Sequence, residues 1–174
     1  MNAAETKLPR SAPAPSSSQI LTVENKVEYM PAASTAWQTA RPGQNLGIGD
    51  RVRTGKDSRA TVRLADRSVL RVNALTTFEL LPPHEKDRKP LLDLKSGSLY
   101  FFSREKPLDV QFRTPTVAGA IRGTEFLLTV TEDGETRLAL LDGAVDLENE
   151  AGRIQLQSGE QARVSRAAPP RSLR

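Results

Sequence analysis

Cysteine is absent from the 174 residues, which excludes disulfide frameworks, thiolate metal sites and cysteine nucleophiles. Histidine is nearly absent too: His84 stands alone in the polar, proline-bracketed segment Pro82–Pro90. A Ser-His-Asp arrangement would have to be built around that one loop side chain, and zinc or iron sites need several His or Cys ligands. No metal and no cofactor are therefore expected. Aromatic residues make up 5% of the chain, too few for a sugar-stacking cleft, so paired-carboxylate hydrolysis is a weak third option. Gly43, Gly47 and Gly49 do not match dinucleotide or P-loop spacing. The Asp133-Gly134 and Asp142-Gly143 pairs lack the alternating acids and closing glutamate of an EF-hand. The longest apolar run, Leu138 to Val145, is broken by Asp142 and Gly143. That falls well short of the ~20 apolar residues of a membrane span. No membrane insertion by this chain is expected. The first residues, MNAAETKLPRSAPAPSSS, lack the charged-then-apolar pattern of a secretory signal.

The net charge of +4 resides mostly at the ends. Lys7, Arg10, Arg163, Arg166, Arg171 and Arg174 sit in or beside the tails, offset there by Glu5. Removing them from totals of 25 bases and 21 acids leaves 19 against 20 in the body. Without a basic body or an aromatic platform, nucleic acid is not an expected partner. Within the body the signs separate. Residues 51–71 carry Arg51, Arg53, Lys56, Arg59, Arg63, Arg67 and Arg71 against two acids, whereas residues 132–150 carry seven acids against Arg137.

Period-two alternation of apolar and polar residues recurs along the chain, punctuated by turn residues every eight to twelve positions or so, the signature of a sandwich or barrel. Ala60, Val62 and Leu64 alternate with Arg59, Thr61 and Arg63, and after Asp66-Arg67 the pattern resumes through Leu70 and Val72. Further hairpins are expected at Ser96-Gly97, Asp133-Gly134, Asp142-Gly143 and Ser158-Gly159. Ile20–Val23 and Lys26–Met30 read as a leading hairpin with Trp37 as an anchor. The expected fold is all-β, an antiparallel sandwich, jelly roll or β-roll built from successive short hairpins. Residues 19–165 read as a single β domain. The tails at 1–18 and 166–174, poor in large apolar side chains, read as disordered.

The most distinctive stretch runs from Thr114 to Phe126 and carries Thr114, Pro115, Gly119, Arg122, Gly123, Thr124, Glu125 and Phe126. Pro115 lacks an N–H and belongs at an edge or corner, and Gly123 marks a conformation that a Cβ would resist. Arg122 and Glu125 are close enough in sequence to pair across that bend. Structurally this is a corner. The stretch resembles the signature of the FecR domain family, in which a Thr-Pro-rich strand leads into Arg-Gly-Thr-Glu-Phe. The resemblance extends over about residues 45 to 165. Gly49-Asp-Arg-Val-Arg-Thr-Gly55 is similar to the family's opening strand and Ser58–Val72 to its first hairpin. Ser96-Gly-Ser-Leu99 is similar to the strand pair before the Thr-Pro segment. Leu140-Leu-Asp-Gly-Ala-Val-Asp146 and Leu156-Gln-Ser-Gly-Glu-Gln161 resemble its closing motifs. One departure is Asp66-Arg67, where members usually have Asp-Gly. A positive φ at Arg67 would cost on the order of 1 kcal/mol.

The resemblance implies a periplasmic or otherwise extracytoplasmic β module that signals through contacts with a protein partner in the cell envelope or signalling machinery. It supplies no catalytic residues, and no enzymatic activity is expected. Arg59 and Arg63 alternate away from the apolar positions of their strand, with Arg71 across the hairpin and Arg51 and Arg53 upstream. These five form a candidate interaction face. The alternative is that they hold an anionic polymer or ligand. Charged outward positions are also what any strand with one wet face shows.

Overall fold

The computed structural model describes residues 17–82, 91–104 and 106–173. Their regular elements are all strands: β1 (Ser18–Glu24), β2 (Val27–Met30), β3 (Gln38–Thr39), β4 (Asn45–Leu46), β5 (Arg51–Thr54), β6 (Arg59–Arg63), β7 (Val69–Val72), β8 (Thr77–Leu81), β9 (Leu91–Phe102), β10 (Leu108–Arg113), β11 (Ala118–Val130), β12 (Thr136–Asn149), β13 (Gly152–Gln157), β14 (Gln161–Val164) and β15 (Arg171–Leu173). The all-β expectation holds, and no helix is long and apolar enough to cross a membrane. His84 and most of the Pro82–Pro90 segment lie outside the described residues, as does the N-terminal stretch up to Ser16.

The strands form one hydrogen-bonded sheet in the order β15-β14-β12-β11-β10-β9-β7-β6-β1-β4, with β8, β5, β2 and β3 leading off β9 in a second arm. Pairing is antiparallel except between β9 and β10, which run parallel over three residues. The alternation read from the sequence is the alternation of burial. In β6 Ala60 and Val62 are buried between exposed Arg59 and Arg63, and in β7 Leu70 and Val72 are buried beside exposed Arg71. These inward residues join Ile20, Phe78, Phe101, Phe112, Phe126, Leu128, Leu138 and Leu140 in one core, where Phe101 and Phe126 stack with ring centroids 4.8 Å apart.

Four expected hairpins are not hairpins; at Ser158-Gly159 the chain turns, but β13 and β14 each pair with β12 and not with one another. β1 pairs with β6 and β4 while β2 pairs with β5 and β3, so the leading strands part company at Asn25, whose φ is 58°. β9 runs unbroken through Ser96-Gly97, changing partner there from β8 to β7 and β11. β12 runs unbroken through Asp142-Gly143 and changes partner there from β14 to β13. A glycine in a strand relieves a bend as readily as it makes a turn, and the local sequence does not say which. The C-terminal tail differs as well. Pro170 is buried, and Arg171–Leu173 forms β15 on the edge of β14. Backbone pairing satisfies a segment too polar to make a core of its own. At the first hairpin Arg67 adopts φ 70°, the conformation that Asp-Gly would supply there.

The bend in β12 lies against one in β11. The β11–β12 register slips between Gly123 and Phe126, and β11 changes partner there from β10 to β9. Gly143, at φ 134°, has no room for a side chain: an added Cβ would lie 2.5 Å from the Arg122 carbonyl oxygen and 2.6 Å from the Gly123 Cα. Upstream, Gly119 faces Phe112, whose ring occupies the space of a missing Cβ. The Thr-Pro corner is fixed by a buried cluster. The Thr114 and Thr116 hydroxyls each lie 2.7 Å from the Thr136 hydroxyl, and Thr116 also donates to the Val164 carbonyl at 3.2 Å.

Gly143→Ala is expected to destabilise the fold by about 3 kcal/mol, combining an unfavourable φ with backbone overlap. A urea midpoint unchanged from wild type would contradict the close-approach account. Arg67→Gly should raise stability by up to about 1 kcal/mol by removing the left-handed strain, read as a higher midpoint at constant slope.

Candidate functional site: an arginine-flanked sheet face

The five candidate arginines divide between the two arms. On the second arm Arg51 donates to Glu79 at 2.9 Å, and Glu79 also lies 3.5 Å from Lys95. Lys95 and Arg113 share the buried Asp93 at 3.1 and 2.8 Å, completing a chain of charges across β5, β8, β9 and β10. Arg53 donates to Glu28 at 2.6 Å and stacks on Trp37, its guanidinium 4.1 Å from the ring centroid. The bond from Arg53 holds the Glu28 carboxyl below its ordinary value. Trp37 is therefore a half-buried platform for Arg53 rather than a core anchor. Both arginines are engaged within the fold.

Arg59, Arg63 and Arg71 belong to the main arm, where the registers place them on a shared outer face. Thr61 pairs with Arg71, Arg71 with Tyr100, Tyr100 with Leu127, Leu127 with Ala139, Ala139 with Gln161 and Gln161 with Leu173. Directly paired residues share a face, so this is one row across seven strands. Its centre is apolar and reaches solvent: Tyr100, Leu127 and Ala139 are half-buried and Leu173 is 45% exposed. A parallel row carries Arg137, Arg163 and Arg171. On the other side Arg63 pairs with Val69, Val69 with Phe102 and Phe102 with Glu125.

Signature residues and arginines meet on this face. Arg71, Tyr100, Phe102, Ser103, Arg104, Thr124 and Glu125 line a shallow hollow of about 260 Å³. The Arg71 and Arg104 guanidiniums lie 5.3 and 5.8 Å from the Phe102 ring centroid, positions in which the ring quadrupole favours the cation. The Tyr100 hydroxyl donates to Glu125, and Thr124 donates to Asp142. Arg122 and Glu125 do not pair, because the bulge between them re-aims the chain. Arg122 reaches Asp109 at 3.3 Å from an exposed position. At the far end Arg163, Ser165, Ala168, Pro169, Arg171 and Leu173 line a second hollow of about 410 Å³. Thr114, Pro115, Thr116, Val117 and Ala118 contribute to the wall of another hollow, about 730 Å³, whose Arg113, Arg166, Glu148 and Glu150 balance in charge.

Seven arginines on the main-arm face (Arg59, Arg63, Arg71, Arg104, Arg137, Arg163 and Arg171) meet the acids Glu24, Glu125, Glu135 and Asp142. Among the described residues Arg59, Arg71, Arg104 and Arg171 form no ion pair, and Arg63 donates to Gln19. Glu135 accepts from Arg137 at 2.8 Å and Arg163 at 2.5 Å, bonds that lower its carboxyl below the ordinary value. The sequence reading missed the apolar centre and the second arginine row, because their members come from five strands spread over residues 100–173.

A family model described as FecR protein matches residues 50–146, more than half of the chain. The fold is an all-β scaffold built on one large mixed sheet. The chain belongs to the FecR family. Two crystal structures of a protein from Parabacteroides distasonis, provisionally named an anti-sigma factor, share the fold. Each has a TM-score of 0.59, at 19% and 20% identity, over 71% of this chain. The aligned part is 58% of the length of those structures. No curated protein shows a significant sequence match.

Because the folded Glu135 carboxyl releases its proton at lower pH than the unfolded one, its stabilisation is present above the unfolded value and lost as pH falls through the folded one. Stability should therefore fall on acidification below about pH 4.5. Glu135→Gln should flatten that part of the profile, as read from urea midpoints between about pH 6 and 3. An unchanged acid slope would contradict the assignment.

Proposed function

We propose that this chain is a non-catalytic, extracytoplasmic interaction module that carries a signal by docking a partner protein on the arginine-bearing face of its main arm. The observation that carries the reading is the contrast between the arms. Arg51 and Arg53 are neutralised in place, whereas Arg59, Arg71, Arg104 and Arg171 project without ion pairs among the described residues. Exposed charge left unpaired around an apolar centre is how recognition surfaces are built. Membership of the FecR family supports the signalling role and the extracytoplasmic setting. The name carried by the structural neighbours, anti-sigma factor, points the same way. Charges at the margin of such a face steer encounter more than they tighten the complex.

The test is quantitative cross-linking in envelope extracts of the source cells, comparing wild type with Arg59→Glu/Arg63→Glu at low and high salt. Both side chains are exposed, so folding should be unchanged. Recovery of one discrete protein should fall with salt, and association should slow about tenfold in the variant. Equal recovery by both forms would remove protein docking on this face. Retention of acidic glycan in place of protein would favour an anionic polymer.

A further inference from the structure

The geometry points to an acidic amphipathic helix as the element that seats on this face, lying across the strands along the row from Tyr100 to Leu173. The inference rests on the docking reading above and names the chemistry of the partner. Four observations converge on it.

The first is direction. The apolar contacts Tyr100, Leu127, Ala139 and Leu173 come from β9, β11, β12 and β15, with exposed Gln161 of β14 between the last two, so the stripe runs across the strands. With strands about 4.8 Å apart, five strands span about 19 Å. A helix of about 13 residues has that length, and its width of about 10–12 Å matches a stripe bounded by neighbouring rows.

The second is backbone accounting. Among the strands under the stripe β9, β11, β12 and β14 are paired on both sides, and β15, at the end of the order, runs across the direction of the stripe as they do. An extended segment crossing them would find no ladder partners, whereas a helix satisfies its own backbone.

The third is charge. Arg171 lines one flank with Arg137 and Arg163, which share Glu135, and Arg71 and Arg104 stand at one end beside Glu125, so the surround stays net positive. Basic and neutral helices gain nothing from that surround; an acidic one does.

The fourth is relief. Each end of the stripe opens into a hollow whose wall carries two arginines, Arg71 and Arg104 with Glu125 at one end and Arg171 and the Glu135-bound Arg163 at the other. Carboxylates about three turns apart, roughly 16 Å along a helix, would reach both.

The experiment uses the full chain labelled with 15N and titrated with a peptide of about 14 residues, long enough to cover the stripe. The peptide carries leucines at i, i+3, i+4 and i+7 with flanking glutamates. Controls are the same peptide with lysines for glutamates, and one of equal composition with a central proline. The acidic helix should shift the amides of Tyr100, Leu127, Ala139 and Leu173. Its affinity should weaken about tenfold on raising salt from about 50 to 300 mM. Leu173→Asp and Arg171→Glu, both at exposed positions, should each weaken it by a similar factor. Equal binding by the lysine or proline peptide, no peptide binding, or shifts centred elsewhere would overturn the inference. So would sedimentation of the chain as a dimer that Leu173→Asp disperses, since a second copy would then hold the face. If Arg59→Glu/Arg63→Glu abolishes partner capture while Arg171→Glu and Leu173→Asp leave it intact, the docking reading stands and the helical occupant falls.

Discussion

The contact on which this architecture depends is the close approach of the β11 and β12 backbones at Gly123 and Gly143. Two long strands cannot bend together while side chains separate them, and here neither residue has one. The bend lets each strand serve two neighbours in succession: β10 then β9 for β11, and β14 then β13 for β12. Phe126 enters the core just beyond the bulge, while Glu125 stays on the outer face within reach of Tyr100. The signature segment thus shapes the sheet and places one of its own side chains at the edge of the candidate docking face.

Polar groups serve two different ends in this molecule. The threonine cluster of Thr114, Thr116 and Thr136 is buried and internally satisfied, so it fixes one geometry at the β10–β11 corner. Removing any one hydroxyl would take a buried hydrogen bond from each of its partners. The ion pairs of the second arm are half-exposed, where such pairs contribute about 1 kcal/mol or less each. Their main consequence is that Arg51, Arg53 and Arg113 are held by acids of the same chain. The main-arm arginines are held far less, and that asymmetry locates the candidate site.

The resemblance to FecR domains read from the Thr-Pro corner and its flanking motifs was legible because those motifs are local and ordered along the chain. The outward alternation of Arg59, Arg63 and Arg71 was legible for the same reason: period two is a property of a single strand. Where the reading failed, a local signal had two physical outcomes. Ser96-Gly97 and Asp142-Gly143 look like turns and are bends within long strands. Lys26–Met30 looks like the partner of Ile20–Val23 and pairs elsewhere. Arg171–Leu173 has too little apolar character to announce a strand, yet the open edge of β14 accepts it.

By itself the sequence determined the class of fold, which residues face inward on most strands, the family, and the exclusion of cysteine chemistry. These follow from side-chain identity and short-range spacing, which the chain carries wherever it goes. Only the tertiary structure decided that Arg51 and Arg53 are engaged while Arg71 joins Tyr100, Phe102 and Arg104. It alone assembled an apolar stripe from strands as distant as β9 and β15. Strand pairing sets which residues become neighbours, and the energy that chooses the pairing comes from burying one shared core, a sum over the whole chain that no short segment contains.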